Sequence, residues 1–166
     1  DALTQVGNRR ALESAFSMWV NAEPAWGSNA HKVGAMLLLD VDHFKQVNDS
    51  YGHQMGDRAL QTCVQIIHTI LRSQDLLGRL GGEEFAIFMT DTTEDTAYQY
   101  AEKIREKISQ SPIQLDNQKH FFIQVSIGIC ICAPENQQTI EQLFKQADDA
   151  LYQAKRLGRN QVVIST

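Results

Sequence analysis

The sequence predicts an α+β domain in which helices pack on one side of a mostly antiparallel sheet, in βαββαβ order with one extra hairpin. Three observations lead to this prediction. The run from Val33 to Leu39 is almost continuously apolar, as in a strand that is buried on both faces. Gly81 and Gly82 separate two apolar runs and indicate a tight hairpin. Segments with one apolar helical face alternate with these strands.

The predicted elements of the first half follow in chain order. Residues 8–23 have apolar side chains at helical spacing, and residues 24–32, which contain Pro, Gly, Ser and Asn, are predicted as a loop. After the first strand, residues 43–51 form a short predicted helix that Gly52 interrupts. A longer helix with one apolar face is predicted from Gly56-Asp57 to about residue 73.

The same patterns predict the second half. A helix runs from about residue 93 to 111, where a Ser-Pro pair ends it. Residues 113–132 are predicted as a second hairpin with its turn near Asp116-Asn117, because apolar residues alternate along its second half. Thr139 is predicted to cap a further helix that Gly158 ends, and residues 162–164 form a last short strand.

Composition excludes several classes of function. The 166 residues predict one domain, and their net charge of -5 argues against non-specific binding of nucleic acid through a basic surface. The cysteines Cys63, Cys130 and Cys132 lack the spacing of a disulfide framework, which indicates a reducing compartment and a role as small apolar residues. No apolar run approaches the roughly 18 residues of a membrane span.

Carboxylates are expected to converge at one end of the predicted sheet. Asp40 ends the first strand, which lies next to the hairpin of Glu83 and Glu84 in a βαββαβ core. Such carboxylates bind hard divalent cations, and a buried Asp40 without a partner would be costly. For the hairpin alone, solvated glutamates on an ordinary turn remain the alternative. For Asp42, we favour a helix N-cap over a metal ligand.

Other polar residues indicate a nucleotide. Asn48 and Asp57 flank a turn near the same corner, and a carboxylate can accept both N1–H and N2–H₂ of guanine. A favourable acid in the first turn of a helix is the alternative for Asp57. Lys155 and Arg159 are four residues apart, so on a helix they would share a face and could neutralise phosphates. Ordinary cations at a helix C-terminus are the alternative there.

At this point the residues match a known family. The chain resembles the GGDEF domain of diguanylate cyclases, in a GGEEF variant, and the matching residues run in order along the whole chain. They are Asp1-Ala2-Leu3-Thr4, Asn8-Arg9-Arg10, Asp40 to Lys45, Asn48-Asp49, Gly52-His53, Gly56-Asp57, Gly81 to Phe85, and positions between Ala147 and Asn160. The resemblance implies a ferredoxin-like or palm-like core, as in nucleotidyl cyclases. It also implies that residues 1–166 are a single catalytic domain, the C-terminal part of a longer protein.

The resemblance implies an activity and a role for each site residue. The domain would join two GTP molecules into cyclic di-GMP and release two pyrophosphates, as a homodimer with one GTP per domain. Mg²⁺, or Mn²⁺, would be held by Asp40, the Val41 carbonyl, Glu83 and Glu84, and Glu83 would also accept the proton of the attacking hydroxyl. The residues expected to bind the substrate are Phe44, Lys45, Asn48, His53, Asp57, Gly81, Gly82, Lys155 and Arg159.

A second site is implied by the pattern of Arg72 and Asp75, which resembles the product-binding inhibitory site of the family. Arginine can bind phosphate or the Hoogsteen edge of guanine through two donors, and aspartate accepts from the guanine donors. An ordinary helix-end pair is the alternative. The position where the family often has a second arginine is occupied by Lys103, with Arg105 nearby, and a lysine cannot make a bidentate contact.

Two other functions are considered. A regulatory module that senses GTP or cyclic di-GMP without turnover would need the same binding residues, but the retained Glu83, Glu84 and Asp40 favour the cyclase. A polymerase-like nucleotidyl transferase would need a basic surface for its primer, which this sequence lacks. We therefore expect a transient or signal-driven homodimer without nucleic acid. It would be cytoplasmic, with any membrane attachment made through a missing upstream region, as in the cytoplasmic domain of an inner-membrane protein.

Overall fold

The structure, a computed structural model, describes residues 1–23 and 32–166. The loop predicted at 24–32 therefore lies, except for Lys32, outside the described residues. The helices are α1 (Arg9–Asn21), α2 (Phe44–Tyr51), α3 (His53–Ile70), α4 (Glu94–Gln110) and α5 (Ile140–Arg156), with a 3-10 turn at Pro134–Asn136. The strands are β1 (Gly34–Val41), β2 (Leu76–Gly81), β3 (Glu84–Met89), β4 (Ile113–Gln114), β5 (His120–Phe121), β6 (Val125–Cys132) and β7 (Val162–Ile164).

A sheet with the strand order β2-β3-β1-β6-β7 forms the centre of the fold. The pairs β2–β3, β1–β3 and β1–β6 are antiparallel, and only β6–β7 within this sheet is parallel. This arrangement confirms the predicted α+β class and the mostly antiparallel sheet. Strand β1 lies in the middle, as its continuous apolar run indicated.

The helices cover both faces of the sheet. Ala35, Leu37 and Leu39 of β1 belong to the core cluster that α2, α3 and α4 complete. Met36 and Leu38, which alternate with them, belong to a second cluster formed with α1 and α5. The prediction of helices on one side was therefore wrong, because a strand that is apolar at every position needs a cover on each face. No helix in the described ranges is long and apolar enough to cross a bilayer.

Helix ends follow local side-chain chemistry. The side chain of Asn8 accepts a hydrogen bond from the Ala11 amide at the start of α1. Thr139 and Gln142 form a reciprocal capping box at the start of α5, which confirms the predicted cap. Helix α3 begins at His53, one turn earlier than predicted, so that Gly56 lies inside the helix rather than at its start.

The segment 113–132 differs from the single hairpin predicted for it. Strands β4 and β5 pair with each other in a separate small sheet, with their turn at residues 115–119, which confirms the predicted turn position. Strand β6 instead pairs with β1 along eight positions, from Gly34–Cys132 to Val41–Val125. The sequence alternation along this strand is genuine, but both of its faces are buried, so pairing with β1 wins over pairing within the hairpin.

Helix α5 approaches β6 closely because Gly128 has no side chain. A Cβ built at this position would overlap the Ala147 carbonyl oxygen and the Leu151 amide nitrogen. Both are backbone atoms of α5 and cannot rotate away. The close approach brings the C-terminal end of α5 against the sheet, where the functional residues lie.

The variant Gly128→Ala is expected to lose stability by about 1–3 kcal/mol or more, because α5 must move off the sheet to make room for the methyl group. Urea unfolding followed by circular dichroism measures the change. Gln124→Ala, at an exposed position just before β6, is the control and should change the midpoint little. An unchanged midpoint for Gly128→Ala would contradict the packing of α5 described above.

Candidate active site

Asp40, Glu83 and Glu84 come from neighbouring strands and their turn at the end of β1, and the convergence of their carboxylates on one cation stays a prediction. Asp40 is paired with Glu84 of β3 on one side and with Ser126 of β6 on the other. The Val41 amide donates a hydrogen bond to the Glu83 carbonyl at 3.3 Å, which ties the strand end to the turn between β2 and β3. The structure thus brings Asp40 beside both glutamates, although Glu83 lies 43 positions further along the sequence.

The tight turn of this hairpin is formed by Gly82 and Glu83, because Gly81 and Glu84 are already paired as strand residues. The turn lies one residue later than the Gly81-Gly82 turn expected from sequence, since β2 carries a register shift between Arg79 and Gly81. Gly82 has φ 49°, a conformation that glycine adopts without steric cost. A Cβ at Gly81 or Gly82 would meet no heavy atom within 4 Å, so the backbone of the turn is open to a ligand.

Arg79 holds this turn from β2, a role that the sequence analysis missed. Its Nε and one terminal nitrogen donate to the Gly82 carbonyl at 3.0 and 2.7 Å. The other terminal nitrogen donates to the Asp1 carboxylate at 3.2 Å, and the same carboxylate accepts the Thr4 amide. An arginine in an otherwise apolar strand directly before a glycine turn is the signal that could have revealed it.

Asp40 is almost completely buried, with 6% of its surface exposed. Burial raises the pKa of its carboxyl to about 6, against the opposing effect of Lys155, and the negative charges of Glu83 and Glu84 raise it further. The Lys155 ammonium lies 3.1 Å from the Asp40 carboxylate. Lys155 therefore supplies the positive charge that this corner of the sheet requires.

The donors at this corner suit a hard cation. Asp40, the two glutamates and the backbone at Val41 offer oxygen atoms only, and neither glutamate side chain has a hydrogen-bond or ion-pair partner within the described ranges. In residues 1–23 and 32–166, no three His, Cys, Asp or Glu side chains lie close enough together to form a complete metal site. Mg²⁺ usually takes one or two carboxylates together with waters and substrate phosphates, so this partial set fits it.

The predicted base-reading residues lie on α2 and α3. A Cβ at Gly56 would overlap the Asn48 amide oxygen and lie 3.2 Å from the Phe44 ring, so Asn48 packs directly over the backbone before Asp57. Asp57 is exposed, and it stands in the second turn of α3 because the helix begins at His53. The helix-dipole explanation for Asp57 therefore weakens, since the dipole acts over the first turn. His53 and Lys45 are also exposed.

The cations predicted to bind phosphate do not share a helical face. Helix α5 ends at Arg156, so Lys155 stands in its last turn and Arg159 lies beyond it in a turn, with φ 65°. Arg159 is exposed. The spacing of four residues therefore does not bring the two side chains together as it would in a helix.

Asp42 is not the N-cap of α2, which the sequence favoured. The N-cap position is taken by His43, and no side chain caps this helix. The buried Asp42 carboxylate instead accepts the Ser126 hydroxyl at 2.7 Å and the Asn160 amide at 2.9 Å. Both partners lie far away in the sequence, which is why local spacing did not reveal them.

Arg72 and Asp75 form an internal pair. The Arg72 guanidinium donates to both Asp75 oxygens, at 3.0 and 2.6 Å, and to the carbonyls of Thr90 and Asp91 at 2.7 and 3.3 Å. The side chain of Asp75 is fully buried, whereas 24% of that of Arg72 is exposed. The hydrogen bonds to Asp75 raise the pKa of Arg72 further above its already high value.

Helix α4 places Tyr100 beside the Arg72–Asp75 pair, with its ring 5.9 Å from the Arg72 guanidinium carbon. Lys103 is three residues further along α4 and so lies on the same side of the helix as Tyr100. Arg105 faces elsewhere: it pairs with Glu102 and donates to the Asn160 side chain.

Comparison with known proteins identifies relatives along the whole chain. The profile of the family described as "Diguanylate cyclase, GGDEF domain" matches residues 1–161. Diguanylate cyclase DosC of Escherichia coli (strain K12) is 34% identical over 165 residues, which cover 98% of this chain and 34% of DosC. Response regulator PleD of Caulobacter vibrioides is 37% identical over 164 residues, covering 98% of this chain and 35% of PleD. The chain thus spans about a third of the length of these curated relatives.

Solved structures show the same fold. The GGDEF domain of DgcB from Caulobacter crescentus, in complex with c-di-GMP, superimposes with a TM-score of 0.86 at 28% identity, covering 99% of this chain and 94% of that one. The active GGEEF domain of a diguanylate cyclase from Vibrio cholerae gives a TM-score of 0.81 at 30% identity, covering 98% and 99% of the two chains.

The burial of Asp40 predicts a pH-dependent stability. Its pKa of about 6 in the folded state lies above the ordinary value of 3.8, so the folded state loses stability as the pH rises from about 4 through 6. In metal-free buffer, Asp40→Asn should therefore gain on the order of 3 kcal/mol relative to the parent between pH 4 and pH 7. Urea unfolding at several pH values measures this difference.

Asp148→Asn, at an exposed position of α5, is the matched control for the pH series and should follow the parent. Addition of Mg²⁺ at pH 7 should raise the melting temperature of the parent and leave that of Asp40→Asn unchanged. A stability difference between parent and Asp40→Asn that stays constant from pH 4 to pH 7 would contradict the buried, charge-deficient environment of Asp40.

Proposed function

The chain belongs to the GGDEF family, and we propose that it is a diguanylate cyclase, which condenses two GTP molecules into cyclic di-GMP and releases two pyrophosphates. One observation carries the proposal: the buried Asp40 pairs in register with Glu84 and lies beside the turn that holds Glu83. This arrangement supports an active site in which the three acidic residues act together. A module that only binds nucleotide would have less need of a buried carboxylate beside two further acids.

Guanine recognition is assigned to α2 and α3. Asn48 offers a donor and an acceptor, and Asp57 can accept the paired N1–H and N2–H₂ donors that adenine lacks. The packing of Asn48 over Gly56 supports this assignment, because it fixes the amide beside the backbone that leads to Asp57. His53 and Phe44 would border the nucleotide, and the exposed Lys45 would meet its phosphates.

The triphosphate would lie along the Gly81-Gly82 backbone, toward Lys155 and Arg159. The absence of Cβ atoms at both glycines leaves room for phosphate oxygens near the turn. Lys155 neutralises Asp40 in the structure, and we propose that its ammonium turns to the phosphates when nucleotide is bound. Arg159 would add a second positive charge from the turn after α5.

Asp40, the Val41 carbonyl, Glu83 and Glu84 would hold a divalent cation, for which we propose Mg²⁺, with Mn²⁺ as a substitute. Such a cation supplies charge neutralisation for the triphosphate and for the phosphorus under attack. The oxygen-only donor set supports this choice. Lys155 would then be relieved of its role as the counter-charge of Asp40.

The reaction requires two domains that face each other. The 3′-oxygen of one GTP attacks the α-phosphorus of the GTP in the partner domain, a P–O bond forms, and the bond to the β-phosphate breaks as pyrophosphate leaves. Glu83 would accept the proton of the attacking 3′-hydroxyl. The same step on the second GTP closes the ring, so each domain contributes one substrate. Positioning and charge neutralisation would supply most of the rate enhancement.

Product inhibition would use Arg72 and α4. Because Asp75 is buried and saturated by Arg72, its task in the structure is to orient the guanidinium. The exposed part of Arg72, together with Lys103, would then contact cyclic di-GMP. The position of Lys103 on the same side of α4 as Tyr100 supports Lys103 over Arg105 as the second cation.

The activity is tested by incubating the concentrated domain with GTP and Mg²⁺ and separating the products by chromatography. The parent should form cyclic di-GMP, and Glu83→Gln should be slower by at least about a hundredfold, because a proton acceptor and a cation ligand are lost together. Glu94→Gln, which changes an exposed glutamate at the start of α4, is the control and should retain the parent rate.

Tight GTP binding without product from the parent would contradict activity of the isolated domain. A coiled coil fused before Asp1 would then force two copies together. Product from the fusion would support a cyclase that needs an upstream dimerising segment, whereas continued binding without turnover would support the sensing module.

Inhibition by added cyclic di-GMP tests the second site. Lys103→Ala should raise the concentration for half-inhibition several-fold, and Arg72→Ala should raise it by about tenfold or more, because a charge-assisted contact is lost. Arg72→Ala leaves the buried Asp75 carboxylate without its partner, which is expected to destabilise the fold. Inhibition of this variant is therefore measured at a temperature at which unfolding data show that the variant is folded. Lys119→Ala, at an exposed position in the β4–β5 turn, is the control. Unchanged inhibition in both test variants would contradict the site.

A further inference from the structure

The turn after α5 combines a tight helix end with consecutive left-handed residues. The Gly158 amide bonds to the Lys155 carbonyl at 3.4 Å and the Arg159 amide to the Ala154 carbonyl at 3.0 Å, the pattern of a Schellman motif. Gly158, Arg159 and Asn160 have φ values of 119°, 65° and 46°. Glycine and asparagine accept such values readily, whereas arginine rarely does. The surrounding structure must therefore hold Arg159 in this conformation.

Two residues from other elements hold the turn through Asn160. The Asn160 amide donates to one oxygen of Asp42 at 2.9 Å, and its side-chain oxygen accepts a hydrogen bond from Arg105 at 3.3 Å. Asp42 directly follows β1, and Arg105 lies in α4. Asn160 is thus fixed by its backbone on one side and by its side chain on the other.

Both holding residues are themselves fixed by further hydrogen bonds. The second oxygen of Asp42 accepts the Ser126 hydroxyl at 2.7 Å, and Ser126 is fully buried. Arg105 donates to the two oxygens of Glu102 at 3.0 and 2.8 Å. Hydrogen bonds to ionised groups are the stronger ones, so this network is expected to be rigid. It connects β6, the end of β1, the turn and α4.

Arg159 itself takes no part in this network with its side chain. It is exposed, and its guanidinium has no hydrogen bond or ion pair to any residue of the described ranges. Two residues at the end of β1 and directly after it bind the C-terminal part of α5 and its following turn. Asp40 pairs with Lys155, and Asp42 accepts the hydrogen bond of the Asn160 backbone amide. Lys155 and Arg159, two of the cations assigned to the triphosphate, are therefore held from the end of the strand that carries the candidate metal ligand, Lys155 directly and Arg159 through Asn160.

We propose that Asp42 and Arg105 are positioning residues: through Asn160 they keep Arg159 in its left-handed conformation, so that its guanidinium is presented to the triphosphate of the bound nucleotide. This inference rests on the proposed function, which assigns phosphate binding to Arg159. The physical gain is preorganisation. A turn that is already fixed loses less conformational freedom when the ligand binds, and the saved free energy appears as affinity.

A double-mutant cycle tests the proposal. Calorimetry measures binding of the α,β-methylene analogue of GTP, which cannot release pyrophosphate, with Mg²⁺ present. Arg159→Ala should weaken binding about tenfold, and Asn160→Ala about three- to fivefold. In the double variant, the affinity should equal that of Arg159→Ala alone, because Asn160 acts only through Arg159.

Further variants separate positioning from general destabilisation. Asn160→Gly keeps the left-handed conformation accessible but removes the acceptor for Arg105, and it should bind less tightly than the parent. Arg105→Ala should reproduce that loss, and Arg105→Lys should recover part of it. Arg156→Ala, which removes an exposed cation in the last turn of α5 near Tyr152, is the matched control and should bind like the parent. Thermal unfolding of each variant identifies the temperatures at which all variants are folded, and the binding affinities are compared within that range.

Three outcomes would overturn the proposal. Equal weakening by Asn160→Ala with and without Arg159 would mean that Asn160 acts through the fold, and no weakening by Asn160→Ala would mean that the network is dispensable for binding. No weakening by Arg159→Ala would remove the phosphate role of Arg159 and the inference with it, while the product assay on the parent still decides the cyclase activity. If Asn160→Ala does not fold, Asn160→Gly and Arg105→Ala complete the same cycle.

Discussion

The unfavourable burial of one carboxylate determines the arrangement of the candidate active site. Asp40 has 6% of its surface in water, and its ionisation is opposed by burial and by the two neighbouring glutamates. In the described part of the chain, Lys155 supplies the compensating charge at 3.1 Å. An apolar residue at position 40 would serve the fold better, since a buried ion pair seldom adds stability over good apolar packing. The end of β1 at Asp40 therefore favours any ligand that brings positive charge. A site for a divalent cation and a triphosphate needs this preference.

The strand register of the sheet fixes the position of Asp40. A slip of one residue in β1 would turn Asp40 to the opposite face of the sheet. It would also exchange Leu37 and Leu39, which pack in one core cluster, with Met36 and Leu38, which pack in the other, and close-packed cores tolerate such exchanges poorly. Antiparallel neighbours on both sides fix the same register. The core packing thus sets the position of a polar group that contributes nothing to the core.

Prediction from sequence succeeded for structural elements that a local pattern of residues specifies, and for strand neighbours that follow from the order of those elements. The apolar run before Asp40 and the glycine turn were sufficient to predict that the first strand and the hairpin meet. Prediction failed where hydrogen-bond partners lie far apart in the sequence. Asp42 accepts hydrogen bonds from Ser126 and Asn160, which are 84 and 118 positions further along the chain, and no local spacing encodes such contacts. The early start of α3 was missed for a related reason, since Gly56 reads as a helix boundary until Asn48 is seen to pack on it. Arg79 was hidden within an apolar run.

The arginines of this domain divide into two groups by their partners. Arg72, Arg79 and Arg105 donate to backbone carbonyls, carboxylates or a side-chain amide, and each joins segments that are distant in sequence or tightens a turn. The fork of five donors suits this work, because one guanidinium can satisfy several acceptors at once. An anion that approaches Arg72 must share donors with Asp75 and two carbonyls. At Arg159 it competes with water alone within the described structure. The residue type is the same in both cases, and the tertiary contacts decide how many donors of each arginine remain available to a ligand.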